Sequence, residues 1–409
     1  MSGSPASFDA MWAELAPLGR SRRGGYDRFA WTRTDSDLRE WFVAAAGSRG
    51  LDVDQDRAGN LWAWWGDPDA AVRTGDPGVV VGSHLDSVPS GGPFDGPLGV
   101  VSALAALDAL RAAGVALTRP VGVLVSADEE GARFGVACAG TRLLTGALDP
   151  DRARALRDDE GTTLAEAYEA AGHDPGSLGA DPRALSRVGA FVELHVEQGR
   201  GLVHHDRPVG VGASIWPHGR WRFDLPGRAD HAGTTPLPDR DDAVLRLAHL
   251  VLTARAAAER HGALATVGRL DVTPNGTNAI ASAARAWLDV RSEDAAAVEA
   301  VVADVTRAAG VEPEPESLTA ATRFDPALTA RAAALLGDAP VLGTGAGHDA
   351  GVLAAAGVPT TMLLVRNPTG VSHSPHEHAE RDDCLAGVAA LTAVLTDLVG
   401  AAPVAAEHR

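Results

Sequence analysis

The sequence contains only two cysteines, Cys138 and Cys384, among its 409 residues. Two thiols can form at most one disulfide, so the fold must depend on a hydrophobic core, as is usual in a reducing cytoplasm. Because thiolates are so scarce, any metal site in this chain has to be built from histidines and carboxylates.

Long apolar runs and excess positive charge are also missing. No stretch reaches the ~20 residues that a transmembrane helix needs, and we expect no secretory signal in MSGSPASFDAMWAEL. Against 54 Asp and Glu there are only 36 Lys and Arg, for a formal net charge of −18. This acidic balance argues against nucleic acid and membranes as partners, and we predict a cytoplasmic protein.

The length of the chain favours two domains, each able to bury a core. The first third alternates helical segments with short buried strands such as 77–84 and 121–130, which is typical of an α/β layer. Beyond residue 211 the order becomes strand, helix, strand, strand, helix, strand, as in a ferredoxin-like domain. Strongly apolar segments return near residue 327, so the second domain is predicted to be an insertion in the first. Near the N-terminus, Ser36 or Asp37 is the expected N-cap of a helix.

Several strands of the first domain end in residues that bind metals. In open α/β sheets, ligands bind beyond the carboxyl ends of the strands. Imidazoles and ionised carboxylates at such an edge suit a divalent ion. The candidates at strand ends and in the loops nearby are His84, Asp86, Asp95, Asp128, Glu129, Glu130, His195, Glu197, His373, His376 and His378.

Three histidines and two carboxylates are enough for two metal sites that share a bridging carboxylate and a water. Asp86, two residues after His84, is expected to accept the second ring N–H of that histidine. If extended, Glu129 and Glu130 point to opposite faces, so one can bind metal while the other acts as a general base. A single strand-end histidine or acidic run is more often structural or solvated. The convergence of several on one sheet edge favours the functional interpretation.

Seven ordered motifs lie between residues 82 and 377: GSHLDSVPSGGPFDGPLGV, ADEEGARFG, ELHVEQG, DHAGTTP, PNGTNAI, GAGHDAG and GVSHSPHE. With these motifs the sequence resembles the hydantoinase/carbamoylase amidases, which include N-carbamoyl-L-amino acid hydrolases, allantoate amidohydrolases and β-ureidopropionases. The family belongs to the clan of dinuclear zinc aminoacylases and carboxypeptidases. The resemblance implies an α/β fold: a mixed-sheet metallohydrolase catalytic domain, residues 1–211 and 327–409, with an inserted ferredoxin-like α+β lid and dimerisation domain, residues 212–326.

The resemblance also implies two divalent metal ions per subunit and a homodimer formed through the inserted domain. Zinc is the first expectation, and manganese, cobalt or nickel are alternatives that the same ligands accept. Asp95 would bridge the two ions. The implied ligands are His84, Asp95 and His195 for one ion and Asp95, Glu130 and His373 for the other.

Catalytic roles follow from the same resemblance. Glu129 matches the general base, Asp86 supports the catalytic centre, and His231 matches a residue that polarises the scissile carbonyl. At position 195 a histidine, where the wider clan more often has a carboxylate, favours a carbamoylase-type amidase. The peptide bond between Asp95 and Gly96 is expected to be cis, as in the clan.

Substrate contacts are implied in both domains. Asn278 and Arg291 match groups that hold the substrate carboxylate, and a guanidinium fork suits a carboxylate on physical grounds alone. The alternative for Arg291 is an ordinary surface ion pair. Gly370 is expected to offer its backbone N–H. The predicted substrate-binding residues are Gln198, His231, Asn278, Arg291, His348 and Gly370.

The main functional hypothesis is hydrolysis of the ureido C–N bond of an N-carbamoyl-L-amino acid or allantoate. Hydrolysis of another N-acyl amino acid, such as an N-formyl or N-acetyl compound, is an alternative that would release no ammonia. A dipeptidase and a catalytically inactive dimeric scaffold are further alternatives. Two features stay open: the segment with Trp216, His218 and Trp221, which could be packing or a pocket wall, and the role of Arg366.

Overall fold

The computed structural model describes residues 4–400. The chain divides into two compact units, residues 1–213 with 323–409 and residues 214–322. The boundaries predicted from the sequence were 211/212 and 326/327. Within the described residues, no helix combines the length and apolarity needed to cross a bilayer.

Helices and strands alternate through most of the chain. The helices are α1 (Ser4–Leu15), α2 (Arg33–Gly47), α3 (Pro68–Thr74), α4 (Pro97–Ala112), α5 (Ala139–Thr145), α6 (Pro150–Ala155), α7 (Leu164–Ala170), α8 (Pro182–Ser186), α9 (Gly201–His205), α10 (Ala243–His261), α11 (Ala295–Ala309), α12 (Pro326–Leu335), α13 (Asp349–Ala355) and α14 (Arg381–Val399), with short 3-10 turns at Pro175–Ser177 and Leu237–Asp239.

The strands form three sheets. They are β1 (Asp52–Gln55), β2 (Leu61–Trp65), β3 (Gly78–His84), β4 (Val121–Ser126), β5 (Val188–Val196), β6 (Val209–Ile215), β7 (His218–Pro226), β8 (Asp230–His231), β9 (Leu264–Thr273), β10 (Ala279–Ile280), β11 (Ala283–Arg291), β12 (Glu314–Thr319), β13 (Thr322–Arg323), β14 (Val341–Thr344) and β15 (Thr360–Val365).

The first unit is built on a mixed sheet with the strand order β1-β2-β4-β3-β5-β15-β6-β13, and β14 pairs with β6. Its centre, β4-β3-β5-β15, is parallel, whereas β2 and β6 pair antiparallel with their neighbours. Every residue of β3 and β4 is buried, which is why these strands read as continuous apolar runs. The predicted mixed-sheet α/β class is confirmed.

Helices cover both faces of this sheet. Val79 and Val81 face the main core, to which α1, α4 and α14 also contribute. Val80, between them, is equally buried but points to the other face, because successive side chains of a strand alternate. The helices α5 and α13 pack together, and α13 also contacts β5 and β15.

The second unit contains an antiparallel sheet of order β12-β7-β11-β9. Along β7, Phe223 and Leu225 are buried while Arg220 and Asp224 are exposed, so one face packs on a core. The helices α10 and α11 supply the other half of that core. With helices between the first and second and between the third and fourth main strands, this is the predicted ferredoxin-like arrangement.

The N-terminal end of α2 differs from the prediction. The helix begins at Arg33, and its N-cap is Thr32, whose hydroxyl accepts the backbone N–H of Asp35 at 3.4 Å. The carboxylate of Asp35 in turn accepts the N–H of Trp31 at 3.0 Å. Ser36 and Asp37 therefore lie inside the first turns of the helix, because the chain offers suitable capping oxygens earlier than the apolar periodicity suggests.

Candidate metal centre

The carboxyl ends of β3, β4, β5 and β15 meet at one edge of the mixed sheet because these strands are adjacent and parallel. His84 is the last residue of β3, and Glu129 and Glu130 lie just beyond β4. His195 is near the end of β5, and His373 lies in the segment that follows β15. The topology thus brings together residues that are almost 290 positions apart in the sequence.

One donor set consists of His84, Asp95 and His195. The Nε2 atoms of His84 and His195 lie 3.4 Å and 3.2 Å from the same oxygen, Oδ1 of Asp95. Both nitrogens are buried and have no hydrogen-bond partner among the described residues. Such unpartnered polar atoms are costly in a protein interior, so this set fits a metal ion.

The hydrogen bonds of the two histidine rings also fit metal binding at this donor set. Nδ1 of His84 donates to the backbone carbonyl of Asp86 at 3.0 Å, and Nδ1 of His195 donates to the carbonyl of Val196 at 2.9 Å. With the proton on Nδ1, each neutral ring presents the lone pair of Nε2 towards Asp95. Fixing a ligand ring through its other nitrogen is common in metal sites.

A second donor set shares Asp95 with the first and adds Glu130 and His373. Nε2 of His373 lies 3.5 Å from Asp95 Oδ2 and 3.5 Å from Glu130 Oε2. The other oxygen of Glu130, Oε1, is buried and has no hydrogen-bond partner in the described part of the chain. Asp95 therefore offers one oxygen to each donor set, as a bridging carboxylate must. The His373 side chain is 51% exposed, whereas that of His84 is 1% exposed.

The cluster brings several buried carboxylates together without enough positive charge to balance them. Burial raises the pKa of Glu129 well above its ordinary value, although the nearby His84 partly opposes this. Burial likewise raises the pKa of Glu130 to about 8. For His84, burial disfavours the charged ring, but the negative charges of Glu129 and Asp95 outweigh it and place the pKa well above the ordinary value in the metal-free chain. Divalent cations would balance these crowded carboxylates.

The position of Asp86 corrects one expectation. Its carboxylate lies 3.7 Å from Nδ1 of His84, which donates to the backbone carbonyl of Asp86 instead. Asp86 Oδ1 accepts the backbone N–H of Glu129 at 3.1 Å, and Oδ2 accepts that of Glu130 at 3.0 Å. Asp86 therefore holds the acidic segment after β4. The segment is not extended, since Asp128 has a φ of +51°, and this turn presents both amides to one carboxylate.

The backbone after Asp95 corrects another expectation. Within residues 4–400 the only cis peptide bond joins Thr273 to Pro274, so the Asp95–Gly96 bond is trans. The chain turns here through the positive φ of Gly96, +86°. A Cβ atom on Gly96 would lie 2.5 Å from the ring of His84. Glycine is thus needed both for the conformation and for the close approach of Asp95 to His84.

Gln198 lies against Asp95, as predicted for a residue beside the metals. Its Nε2 donates to Asp95 Oδ2 at 2.9 Å and to the hydroxyl of Ser372 at 3.1 Å. The same nitrogen lies 3.5 Å from Nε2 of His373. Gln198 is therefore placed at the second donor set.

The remaining predicted residues of the first unit are more enclosed than expected. His348 is buried, with its ring centroid 4.5 Å from that of His195, and burial places its pKa well below the ordinary value. The backbone N–H of Gly370 donates to the Asn367 side chain at 2.9 Å. Since that amide is already bonded, the predicted contact of Gly370 with substrate is not supported.

Arg366 pairs through two nitrogens with Asp383, at 2.8 and 3.0 Å, which indicates a structural role.

Three residues outside the predicted set support the site. Glu377 is buried and accepts two backbone N–H groups at the Asp95 loop. The thiol of Cys138 lies 3.4 Å from Glu129 Oε1, to which it donates. The side chain of Asn60 accepts the N–H of Ala127, directly after β4, at 2.9 Å. Of these three residues, only Glu377 could have been identified from the sequence, because it lies in the GVSHSPHE motif.

The predicted residues of the second unit fall into two separate places. His231 pairs with Ala279, beside Asn278, whose carbonyl accepts the N–H of Ala232 at 3.1 Å. Arg291 ends the nine-residue strand β11, whose first residue, Ala283, lies opposite Pro226 and three residues after the end of β10. At ~3.4 Å per residue, the two ends of that strand are about 27 Å apart. Asn278 precedes the start of this strand and Arg291 ends it, so the two residues of one chain do not meet at a single small carboxylate in this structure.

The surroundings of Arg291 are polar and structured. Its guanidinium donates to both oxygens of Asp289, at 2.8 and 3.1 Å. His218 lies directly opposite Arg291 on β7, and Nδ1 of His218 donates to the carbonyl of Trp216 at 3.0 Å. Trp221 covers Gly219, where a Cβ atom would overlap its ring, so Trp221 serves packing.

Comparisons with known proteins cover both units. Residues 80–397 match the model of peptidase family M20/M25/M40. An N-carbamoyl-L-amino acid amidohydrolase of Geobacillus stearothermophilus is 37% identical over 394 residues, 92% of this chain and 94% of that protein. An allantoate amidohydrolase of Escherichia coli (strain K12) is 29% identical over 94% of this chain and 95% of that protein. The crystal structure of an amidase of the hydantoinase/carbamoylase family from Burkholderia vietnamiensis aligns with a TM-score of 0.84, 30% identity and 98% of each chain covered.

Proposed function

Because the chain belongs to the hydantoinase/carbamoylase amidases within peptidase family M20/M25/M40, we propose that it hydrolyses the carbamoyl C–N bond of N-carbamoyl-L-amino acids. The chain is an amidohydrolase for C–N bonds other than peptide bonds. The relatives named for N-carbamoyl-L-amino acids reach 37% identity and those named for allantoate reach 30%. This difference favours the former as substrate and makes allantoate the second candidate.

The observation that carries the proposal is the position of Asp95 between two donor sets, with Glu129 beside them. His84, Asp95 and His195 would hold one divalent ion, and Asp95, Glu130 and His373 the other. When bound, two such ions lower the pKa of a shared water and polarise the substrate carbonyl. Zinc is our first candidate, ahead of manganese, cobalt and nickel, and metal analysis of the purified protein distinguishes them.

Glu129 is the proposed general base. Its Oε2 lies 3.7 Å from Nε2 of His84, so the carboxylate borders the first donor set. Glu129 would accept a proton from the attacking water and return it to the amino nitrogen when the C–N bond breaks. The carbamoyl group then leaves as ammonia and carbon dioxide, and the amino acid is released.

Support for Glu129 comes from two neighbouring groups. The Asp86 carboxylate fixes its backbone N–H, and the Cys138 thiol contacts its Oε1. These contacts limit the freedom of a side chain that must meet the attacking water in one orientation.

The residues proposed to bind the substrate follow from the family resemblance and from the chemistry of their side chains. Gln198 has its amide at the second donor set. Arg291 is proposed to bind the substrate carboxylate, because a guanidinium fork offers two parallel donors, and binding would then compete with the pairing to Asp289. His231, Asn278 and His348 are further proposed polar contacts of the substrate, whereas the N–H of Gly370 already bonds to Asn367.

We further propose a homodimer that forms through the second unit, in a cytoplasmic protein. The outer face of α10 exposes Val244, Leu245, Val251 and Leu252, and Leu245 and Leu252 are 67% and 70% exposed. The adjacent strand β9 forms an edge of its sheet with ten residues. An apolar helix face beside a long unpaired edge is typical of an interface. Light scattering during size-exclusion chromatography tests this, and a monomer at micromolar concentration would contradict it.

A substrate panel tests the function. The purified protein is incubated with an N-carbamoyl-L-amino acid, allantoate, an N-formyl and an N-acetyl amino acid, and both ammonia and amine are measured. We expect ammonia and amino acid in equal amounts from the N-carbamoyl compound. Amine release from the N-formyl or N-acetyl compound alone would assign the enzyme to other N-acyl amino acids.

A further inference from the structure

We propose that Glu377 is a positioning residue that holds Asp95 in the orientation required of the bridging ligand. The inference rests on the proposed two-metal centre, because it concerns the carboxylate that both donor sets share. Glu377 lies four residues after His373, and it is 4% exposed. Burying a carboxylate costs free energy unless hydrogen bonds satisfy its oxygens, so the partners of Glu377 indicate its role.

The Glu377 carboxylate binds the backbone of the loop that carries Asp95. Oε2 of Glu377 accepts the N–H of Phe94 at 2.8 Å and the N–H of Asp95 itself at 3.0 Å. Two consecutive amides bound to one oxygen fix the peptide plane from which the Asp95 side chain projects. Because both amides converge on one buried oxygen, the loop is held at two successive residues.

A second connection runs through Ser372, the residue before His373. The Ser372 hydroxyl lies 3.2 Å from Asp95 Oδ2 and 3.5 Å from Glu377 Oε1. Glu377 therefore joins the loop that carries Asp95 to the loop that carries His373. Glu377 and Asp95 are 282 residues apart in sequence, yet both loops contribute to the second donor set.

Gly92 provides an independent observation. A Cβ atom built on Gly92 would overlap the carboxylate of Glu377. The backbone of Gly92 is not in the left-handed region, so its conformation does not require glycine. The absence of a side chain at this position instead leaves the space that Glu377 fills, and the GGPFDG and HSPHE segments are complementary in shape.

The contacts also predict which replacement is tolerated. The Glu377→Gln variant would still present a carbonyl oxygen to both amides, so it should preserve the positioning although the charge is removed. Glu377→Ala leaves both amides without their acceptor. Gly92→Ala pushes the carboxylate away while leaving the chemical group intact.

The test is titration of metal-free, full-length protein with Mn²⁺, monitored by isothermal titration calorimetry. Removal of a group that orients a metal ligand usually weakens metal binding by about 10- to 100-fold. We expect at least ~10-fold weaker binding of Mn²⁺ to Glu377→Ala and to Gly92→Ala. Glu377→Gln should bind Mn²⁺ about as tightly as the wild type, since one acceptor oxygen is sufficient for both amides.

Asp325→Ala is the matched control for general destabilisation of the same unit. Asp325 caps α12 by accepting the N–H of Leu328 at 2.7 Å, far along the chain from any predicted ligand. Its replacement should lower the melting temperature and leave Mn²⁺ affinity unchanged. If Glu377→Ala fails to fold, the Mn²⁺ affinities of Gly92→Ala and Glu377→Gln are compared with each other instead.

The outcomes separate this inference from the proposed function. Wild-type protein that binds neither Mn²⁺ nor Zn²⁺ overturns the two-metal centre itself. Wild-type protein that binds two ions, beside Glu377→Ala and Gly92→Ala variants of unchanged affinity, overturns only the role of Glu377. Equal weakening in Glu377→Gln and Glu377→Ala also overturns it, because charge and not orientation would then be the contribution of Glu377.

Discussion

Asp86 Oδ1 accepts the backbone N–H of Glu129 at 3.1 Å, and this bond ties the end of β3 to the proposed general base beyond β4. The second oxygen of Asp86 accepts the N–H of Glu130. One carboxylate thus places both the base and a proposed metal ligand.

Replacing Asp86 by Asn should therefore slow catalysis. The asparagine amide can accept one of the two N–H groups but directs a donor at the other. We expect kcat to fall by about 10- to 100-fold, with a smaller change in KM. Steady-state kinetics with metal analysis checks this, and a wild-type kcat in a fully metallated variant would show that Asp86 does not position Glu129.

Glu129→Gln should abolish turnover while the protein keeps its metal. The glutamine is isosteric but cannot accept the proton of the attacking water, and loss of a general base costs about 10²- to 10⁴-fold in rate. The control is Glu160→Gln, at an exposed position of the same unit, which should be fully active. Near-normal activity of Glu129→Gln would remove the base assignment.

Gly96→Ala should damage the first donor set specifically. The new Cβ would strain a φ of +86° and collide with the His84 ring. Gly75→Ala is a matched control, because Gly75 has a φ of +78° with no other atom within 4 Å of the new Cβ.

Both replacements of glycine should therefore cost about 1–2 kcal/mol of folding free energy for the left-handed backbone, as measured by urea denaturation of the metal-free proteins. Only Gly96→Ala should also lose metal and activity. Equal metal content in the two variants would contradict the close approach of Gly96 to His84.

Arg291→Ala should impair substrates that carry a carboxylate. Loss of a charge-assisted hydrogen-bond donor costs about 1.5–3 kcal/mol, or roughly 10- to 150-fold in kcat/KM. The matched control is Arg285→Ala, on the same face of β11 and paired with Asp224. Activity is compared on an N-carbamoyl amino acid and its carboxamide, and an equal loss on both would argue against carboxylate binding.

Graded metal removal should empty the two donor sets in order. His373 of the second set is half exposed, whereas His84 and His195 of the first set are buried, so a chelator reaches the second ion more readily. Dialysis against increasing chelator, followed by native mass spectrometry, should give a form with one ion per chain before the metal-free form. Simultaneous loss of both ions would contradict unequal sites.

The architecture was largely predictable because its signals are local. Apolar runs within 77–84 and 121–130 predict buried strands of a covered sheet, and the alternation along 219–227 predicts a strand with one solvent-exposed face. These periodicities reflect which side of each element meets a core, so they predict the mixed sheet and the ferredoxin-like insertion. Parallel strands then place His84, Glu130 and His195 at a common edge.

Contacts between distant loops could not be read from such patterns. The Asp86 carboxylate accepts backbone amides that a turn at Asp128 presents, and it therefore does not accept the ring N–H of His84. Glu377 contacts the loop of Asp95 across 282 residues.

Residue chemistry and local spacing were therefore sufficient to predict the elements and the donor types, and the seven motifs identified the family by resemblance. The folded chain was needed to show that Asp95 divides its oxygens between two donor sets and that the Gly370 amide is already bonded. It was also needed to show that Arg291 ends β11, whereas Asn278 lies before the start of that strand. Those relationships depend on how loops pack against one another, and short-range sequence patterns contain no information on that packing.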